Sequence, residues 1–278
     1  MTHANADAPI GVFDSGVGGL TVLAALRAAL PTERFLYLGD TARVPYGTKS
    51  PATVARYAEN VADVLLARGA KALVIACNTA SAFGLEAVRA RTGVPVVDVI
   101  GPAAADVAAR PGLRRIGVLG TRGTVASMAY PRALERAGAT VEIAQQPCPL
   151  FVPLAEDGWT SGPVPRQVAD TYIGSLLASG PVDAVVLGCT HYPLLREEID
   201  ASLLRQMGRH VPVIESGPAA ARALVEALDA TKLRSARPAG PALTTYLVTD
   251  DPAGFSVVGE RFLGGSVGAV EHVSVGAA

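Results

Sequence analysis

The chain is short of charge, lysine, aromatic residues and cysteine. Charged residues make up 18% of its 278 positions, against about 25% in an average soluble domain. Half of the residues are hydrophobic, enough for a sizeable core, which excludes a disordered chain. With 24 basic and 25 acidic residues the net charge is −1. There is no surplus of positive charge to concentrate on a nucleic-acid backbone, so no nucleic-acid partner is expected. Only Lys49, Lys71 and Lys232 are lysines; the other basic residues are arginine. Cys77, Cys148 and Cys189 are too few and too widely spaced for a zinc cage or a disulfide framework. No metal is expected. Long hydrophobic runs are also missing. The longest stretch without a charged residue, Ala72 to Leu85, is interrupted by Asn78, Thr79 and Ser81 and falls short of the about 20 apolar residues a membrane span needs. Residues 1–9 have neither the basic start nor the apolar run of a secretory signal. They read as a short disordered leader, and the expected location is cytoplasmic, with the thiols reduced.

Alternation fills the rest. Apolar runs at Ile10–Phe13, Phe35–Leu38, Leu73–Ala76, Val96–Val99, Ile116–Leu119, Val141–Ile143, Ala184–Leu187, Val211–Ile214 and Thr244–Val248 read as strands. Segments with helical periodicity lie between most of them, among them Gly19–Leu30, Pro51–Arg68 and Thr124–Ala137. This βαβα order predicts an α/β fold with parallel sheets covered by helices on both faces. The chain also echoes itself. Ile10-Gly11-Val12-Phe13-Asp14-Ser15-Gly16 is matched by Ile116-Gly117-Val118-Leu119-Gly120-Thr121-Arg122, and the run into Cys77-Asn78-Thr79 is matched by the run into Cys189-Thr190-His191. The repeat predicts two pseudo-symmetric doubly wound domains, with both cysteines at equivalent strand ends. Ligands of open α/β sheets bind at such ends, so the expected active site is a cleft between the halves. The boundary is expected near Gly101-Pro102. Residues 10–100 with 211–278 would form a discontinuous first domain, and residues 101–210 the second.

Cys77 and Cys189 each end an apolar run and begin a polar turn. A following helix would offer N–H groups and a positive dipole end, which favour a thiolate or a bound carboxylate. Two such cysteines in one repeat point to chemistry; Cys148, between two prolines, reads as structural. Asp14-Ser15-Gly16-Val17-Gly18-Gly19 is a glycine-rich turn with Thr21 where a dinucleotide fingerprint needs its third glycine. It suits a small carboxylate better than a nucleotide. In Asp40-Thr41-Ala42-Arg43-Val44-Pro45-Tyr46-Gly47, Tyr46 could orient a ligand, and Arg43 either pairs with Asp40 or meets an anion. His191 either moves a proton near Cys189 or caps the next helix. Glu156, in an irregular stretch after Pro153, either meets an ammonium group, orients His191 or is a solvated loop acid.

These motifs, with Ala76-Cys77-Asn78-Thr79-Ala80 and Gly188-Cys189-Thr190-His191-Tyr192-Pro193, resemble the aspartate/glutamate racemase superfamily over about residues 10 to 262. The Asp-Thr-Ala-Arg-x-Pro-Tyr-Gly element resembles its glutamate branch. Departures are the leader, Glu215 where Asp is more usual, and the tail after Leu263. The resemblance implies a cofactor-independent interconversion of L- and D-glutamate that supplies peptidoglycan synthesis, in a homodimeric enzyme. It implies that Cys77 takes the proton from D-glutamate and Cys189 from L-glutamate. It places Asp14, Ser15, Pro45, Tyr46, Gly47, Asn78, Thr79, Thr121, Thr190 and His191 around the substrate, with Asp14, Glu156 and His191 supporting proton movement. The thiol chemistry agrees, because inverting a stereocentre without a redox group or pyridoxal needs a base on one face and an acid on the other. Rival readings are a racemase for aspartate or a hydantoin, a non-catalytic two-lobed carboxylate binder, and a thiol-dependent hydrolase.

Overall fold

The computed structural model describes residues 5–238 and 243–276. In chain order its regular elements are β1 (Ile10–Asp14), α1 (Leu20–Ala29), β2 (Arg34–Gly39), α2 (Pro51–Ala67), β3 (Ala72–Ile75), α3 (Asn78–Ala90), β4 (Val96–Asp98) and α4 (Ile100–Ala108). There follow β5 (Arg115–Gly120), α5 (Arg122–Ala126), α6 (Ala129–Arg136), β6 (Glu142–Pro147), α7 (Phe151–Glu156), α8 (Pro163–Leu177), β7 (Ala184–Gly188) and α9 (Arg196–Met207). The last are β8 (Val213–Glu215), α10 (Ser216–Ala230), β9 (Leu243–Val248), α11 (Pro252–Leu263) and β10 (Val270–His272). None of the helices, among the described residues, is long and apolar enough to cross a membrane.

The chain divides into two compact units, Met1–Val99 with Gly217–Ala278, and Ile100–Ser216. The first holds a six-stranded sheet in the order β10-β9-β2-β1-β3-β4 and the second a four-stranded sheet in the order β6-β5-β7-β8. Every pairing is parallel. The central strands β1, β3, β5 and β7 are buried along their whole length except for Arg115, as continuously apolar strands covered on both faces should be.

The repeat in the sequence is a repeat of topology. The order β2-β1-β3-β4 in one unit matches β6-β5-β7-β8 in the other. Gly11 and Gly117 are both the second residue of the echoed run, second in β1 and third in β5, and serve the same purpose. A Cβ on Gly11 would lie 2.8 Å from a Leu73 methyl and 3.1 Å from Leu65, and one on Gly117 would lie 2.7 Å from a Leu176 methyl. In both units a helix, α2 or α8, packs so closely on the first strand that only hydrogen fits.

Several expectations need correcting. The strand expected at Val211–Ile214 falls in the expected first domain, but β8 pairs with β7 in the second unit. The chain crosses between units at Val99/Ile100, beside the boundary expected near Gly101-Pro102, and at Ser216/Gly217, six residues beyond the expected end of the second domain at residue 210; α4 and α10 begin at these crossings. The helix expected over Thr124–Ala137 is broken at Met128, whose left-handed backbone (φ 54°) separates α5 from α6. The stretch holding Glu156 is the short helix α7, and Pro153 is tolerated in its first turn, where an N–H is not needed. Of the leader expected to be disordered, residues 1–4 lie outside the described residues. Residues 5–9 are held: Lys71 N–H donates to the Pro9 carbonyl at 2.9 Å, and Ser235 Oγ to Asp7 at 2.7 Å.

Candidate active site

Cys77 stands between β3 and α3 as the cap of that helix, and its sulfur accepts from Ala80 N–H at 3.5 Å. Its thiol reaches Ser15 Oγ at 3.7 Å, and the residue is 6% exposed. Asn78 and Thr79, in the first turn of α3, are buried with it. Asp14 ends β1, and its Oδ2 accepts from Gly19 N–H at 2.8 Å and from Gly16 N–H at 3.3 Å. The glycine-rich turn therefore spends these amide groups on its own Asp14 carboxylate. From the sequence alone the same turn suits a ligand carboxylate. Burial, and then the negative charge of Asp14, push the Cys77 thiol above its ordinary range; Ala80 N–H and Ser15 pull it back only in part. A helix N-terminus alone would pull the other way. Desolvation wins because the sulfur is enclosed.

The turn over residues 44–47 belongs to the same unit. Asp40 holds it from beneath: Arg43 Nε donates to Oδ2 at 2.7 Å, Thr249 Oγ1 to Oδ1 at 3.0 Å, and the Tyr46 hydroxyl also donates to Oδ2. The Arg43 guanidinium lies 4.2 Å from the Tyr57 ring centroid, and the Tyr46 and Tyr57 centroids are 5.6 Å apart. Of the two uses open to Arg43, the structure has it paired with Asp40. The Tyr46 ring is buried and its hydroxyl is committed to Asp40, while Pro45 is exposed and Gly47 half-buried.

In the second unit Cys189 follows β7, and its surroundings are of another kind. His191 Nδ1 lies 3.8 Å from its sulfur, and His191 Nε2 lies 3.0 Å from Glu156 Oε1. The contact arises because His191 has helical backbone angles rather than the extended ones that would throw an i+2 side chain along a strand. His191 does stand at the cap position of the 3₁₀ turn Tyr192–Leu195, but its side chain makes no capping bond. Thr190 is buried beside it. Thr121, just past the end of β5, caps α5 by accepting from Thr124 N–H at 3.1 Å. Cys148 is buried, and burial pushes its thiol up. Its carbonyl accepts from the Tyr192 hydroxyl at 2.9 Å, and its N–H donates to Gly120 at 2.8 Å.

The first unit thus gathers Asp14, Ser15, Cys77, Asn78 and Thr79, and the second gathers Cys189, Thr190, His191 and Glu156. Among the described residues no three His, Cys, Asp or Glu side chains form a group that could hold a metal. Two buried tyrosines escaped the sequence reasoning. Tyr37 donates to the Gly16 carbonyl at 2.9 Å, and Tyr192 supports Cys148. The signal for Tyr37 was a tyrosine inside an otherwise apolar strand, since a buried phenol needs a partner; Tyr192, in a 3₁₀ turn, carried no such signal.

The model of the Asp/Glu/Hydantoin racemase family matches residues 19–224. The chain belongs to this family. It is therefore an enzyme of the racemase class, an isomerase that inverts a stereocentre. A glutamate racemase of Geobacter metallireducens is 50% identical over 267 residues, covering 96% of each chain. Among solved structures, glutamate racemase from Francisella tularensis in complex with D-glutamate superposes with a TM-score of 0.88 at 38% identity, covering 97% of this chain and 98% of that one. Glutamate racemase from Thermus thermophilus in complex with beta-chloro-D-alanine superposes with a TM-score of 0.86 at 45% identity, with the same coverage.

Proposed function

We propose that this racemase interconverts L- and D-glutamate without a cofactor, using Cys77 and Cys189 as the two acid/bases. The observation that carries the proposal is the placement of two free, buried cysteines just beyond β3 and β7, equivalent strands of two sheets with the same order. Near-full-length identity to glutamate racemases supports the choice of substrate.

In the D-to-L direction the Cys77 thiolate takes the α-proton: the C–H bond breaks, an S–H bond forms, and the electron pair stays on the carbon. The Cys189 thiol then gives its proton to the opposite face and is left as thiolate. The L-to-D direction runs this backwards. Each turnover leaves the enzyme in the protonation state suited to the other enantiomer. Asp14 on one side, and His191 held by Glu156 on the other, support these transfers. Ser15, Pro45, Tyr46, Gly47, Asn78, Thr79, Thr121 and Thr190 line the substrate site, and N–H and hydroxyl donors among them stabilise charge that develops as the α-proton leaves. The product D-glutamate feeds peptidoglycan synthesis in the cytoplasm, and the enzyme works as a homodimer.

Circular dichroism of D-glutamate with purified protein and no added cofactor tests the activity. The signal should decay to zero, and a chelator should not slow it. A signal that never decays refutes the glutamate assignment, and a panel including aspartate then decides between amino acids. In D₂O, early product should carry deuterium at the α-carbon while recovered substrate stays protiated. Label returning to both together would mean one base serves both faces.

A further inference from the structure

We propose that Tyr37 is a positioning residue for proton transfer at Cys77, its hydroxyl clamping the Gly16 carbonyl and so fixing Ser15 against the thiol. The inference rests on the two-cysteine reading above and extends it to a residue outside the glycine-rich and cysteine motifs.

Tyr37 lies in the middle of β2 and is fully buried. Its ring is wedged between Phe255 and Tyr246, with centroids 6.0 Å and 6.4 Å away. From there its hydroxyl donates to Gly16 O at 2.9 Å. Two residues on, and so on the same face of the strand, Gly39 leaves room for the same carbonyl: a Cβ there would lie 2.6 Å from Gly16 O. A Cβ on Gly19 would lie 3.0 Å from the Tyr37 hydroxyl and 2.6 Å from Asp14 Cβ. The phenol therefore sits under the turn that carries Asp14 and Ser15, where Gly19 leaves room for the hydroxyl and Gly39 for the carbonyl it meets.

The consequence reaches Cys77 through one peptide. Ser15 precedes Gly16, and its hydroxyl is 3.7 Å from the Cys77 sulfur, near the outer limit for a contact to sulfur. A shift of the turn by about half an ångström would break that contact. Misplacement on the order of 1 Å in a reacting group costs about a hundredfold in rate. Burial, with Asp14 and Cys77 nearby, keeps the phenol protonated. It is thus a permanent donor and not itself an acid or base in the reaction.

Racemisation rates alone cannot isolate this role, because the equilibrium constant between enantiomers ties the two directions together. The half-reactions can. In a Cys189→Ala background, Cys77 alone should eliminate the leaving group from D-β-chloroglutamate; in a Cys77→Ala background, Cys189 alone should do so from the L isomer. Adding Tyr37→Phe, which keeps the ring and removes the donor, should slow the D half-reaction at least about tenfold and leave the L half-reaction within about twofold. A 4-aminophenylalanine at position 37 restores a donor and should recover most of the D-side rate, which also covers the case in which the phenylalanine variant does not fold. Equal loss on both sides, no loss on either, or failure of the amino variant to recover the D-side rate overturns the proposal. If the unaltered protein does not racemise glutamate, the parent reading falls and takes this one with it; if it does and the half-reactions fail to separate, only the role of Tyr37 is lost.

Discussion

Cys77 and Cys189 end equivalent strands of two sheets with the same order, yet their neighbours differ in kind. Cys77 caps a true α-helix, α3, and faces a carboxylate and a hydroxyl, those of Asp14 and Ser15. Cys189 is followed by a 3₁₀ turn and faces an imidazole that is itself held by a carboxylate. The shared topology fixes where the sulfurs stand, and the loops beyond the strand ends decide what each sulfur is. Beside Cys77, burial and Asp14 favour the thiol; a thiolate made there is a stronger base, though less populated. Beside Cys189, a proton has a second place to rest. The two sides of the proposed reaction need not be chemically symmetric even though the fold that carries them nearly is.

The most severe way to break the comparison is to remove either sulfur. Cys77→Ala and Cys189→Ala should each lower racemisation by about a thousandfold or more, as loss of an essential acid/base does. What remains should be one-sided. Cys77→Ala should still eliminate from the L isomer of β-chloroglutamate and Cys189→Ala from the D isomer. If both variants prefer the same isomer, the cysteines do not serve opposite faces.

A smaller change sharpens the Cys77 side. Asp14→Asn keeps a side chain of the same shape but removes the negative charge that disfavours the thiolate. The sign is fixed: a neighbouring anion raises a thiol's pKa, so its removal lowers it. In a Cys148→Ser/Cys189→Ser background, thiolate absorbance near 240 nm should appear at lower pH in the Asp14→Asn protein than in its parent. Because Asn holds Gly16 and Gly19 less well, D-side elimination should also fall by about tenfold to a hundredfold. Thiolate absorbance that does not move would mean that burial alone sets the Cys77 thiol.

On the Cys189 side the corresponding test is gentler. Glu156 is 43% exposed, and its pairing with His191 at 3.0 Å is partly screened by solvent. Such a pair contributes on the order of 1 kcal/mol, about fivefold in rate. Glu156→Gln should therefore slow L-side elimination by roughly that factor and leave D-side elimination unchanged. An equal effect on both sides would remove Glu156 from the Cys189 chain.

What the sequence made legible follows the same division. Strand positions could be read because buried parallel strands are continuously apolar, and the repeat could be read because Gly11 and Gly117 answer the same packing demand. Both cysteines could be located from the repeat. The second crossing between units was not legible: it falls at the start of α10, where no linker composition marks it, and so the strand at Val211–Ile214 is expected in the wrong unit. Nor was the internal use of the glycine-rich turn. Amide groups close to an aspartate in the chain can meet either it or a ligand, and only the geometry of Gly16 and Gly19 tells which. Tyr37 stayed hidden because its partner is a backbone carbonyl 21 residues away, a contact without any local pattern.

The smallest effect is expected at the third thiol, and it separates position from chemistry. Cys148 shares a hydrophobic cluster with Cys189 and is as well buried, so proximity alone would give it a part in the reaction. Its backbone, however, does the work in the structure. The carbonyl takes the Tyr192 hydroxyl and the N–H meets Gly120, while the thiol donates to the Gln146 carbonyl at 3.4 Å. Serine preserves both backbone bonds and can donate to the same Gln146 carbonyl. Its smaller volume should cost about 1 kcal/mol of stability, read as a modest drop in melting temperature. Turnover of both enantiomers by Cys148→Ser should stay within about twofold, because the contacts of Cys189 with His191 and of His191 with Glu156 stay in place. An inactive but folded Cys148→Ser protein would show that the Cys189 side depends on two sulfurs, and the contrast between the two catalytic cysteines would have to be redrawn around a pair.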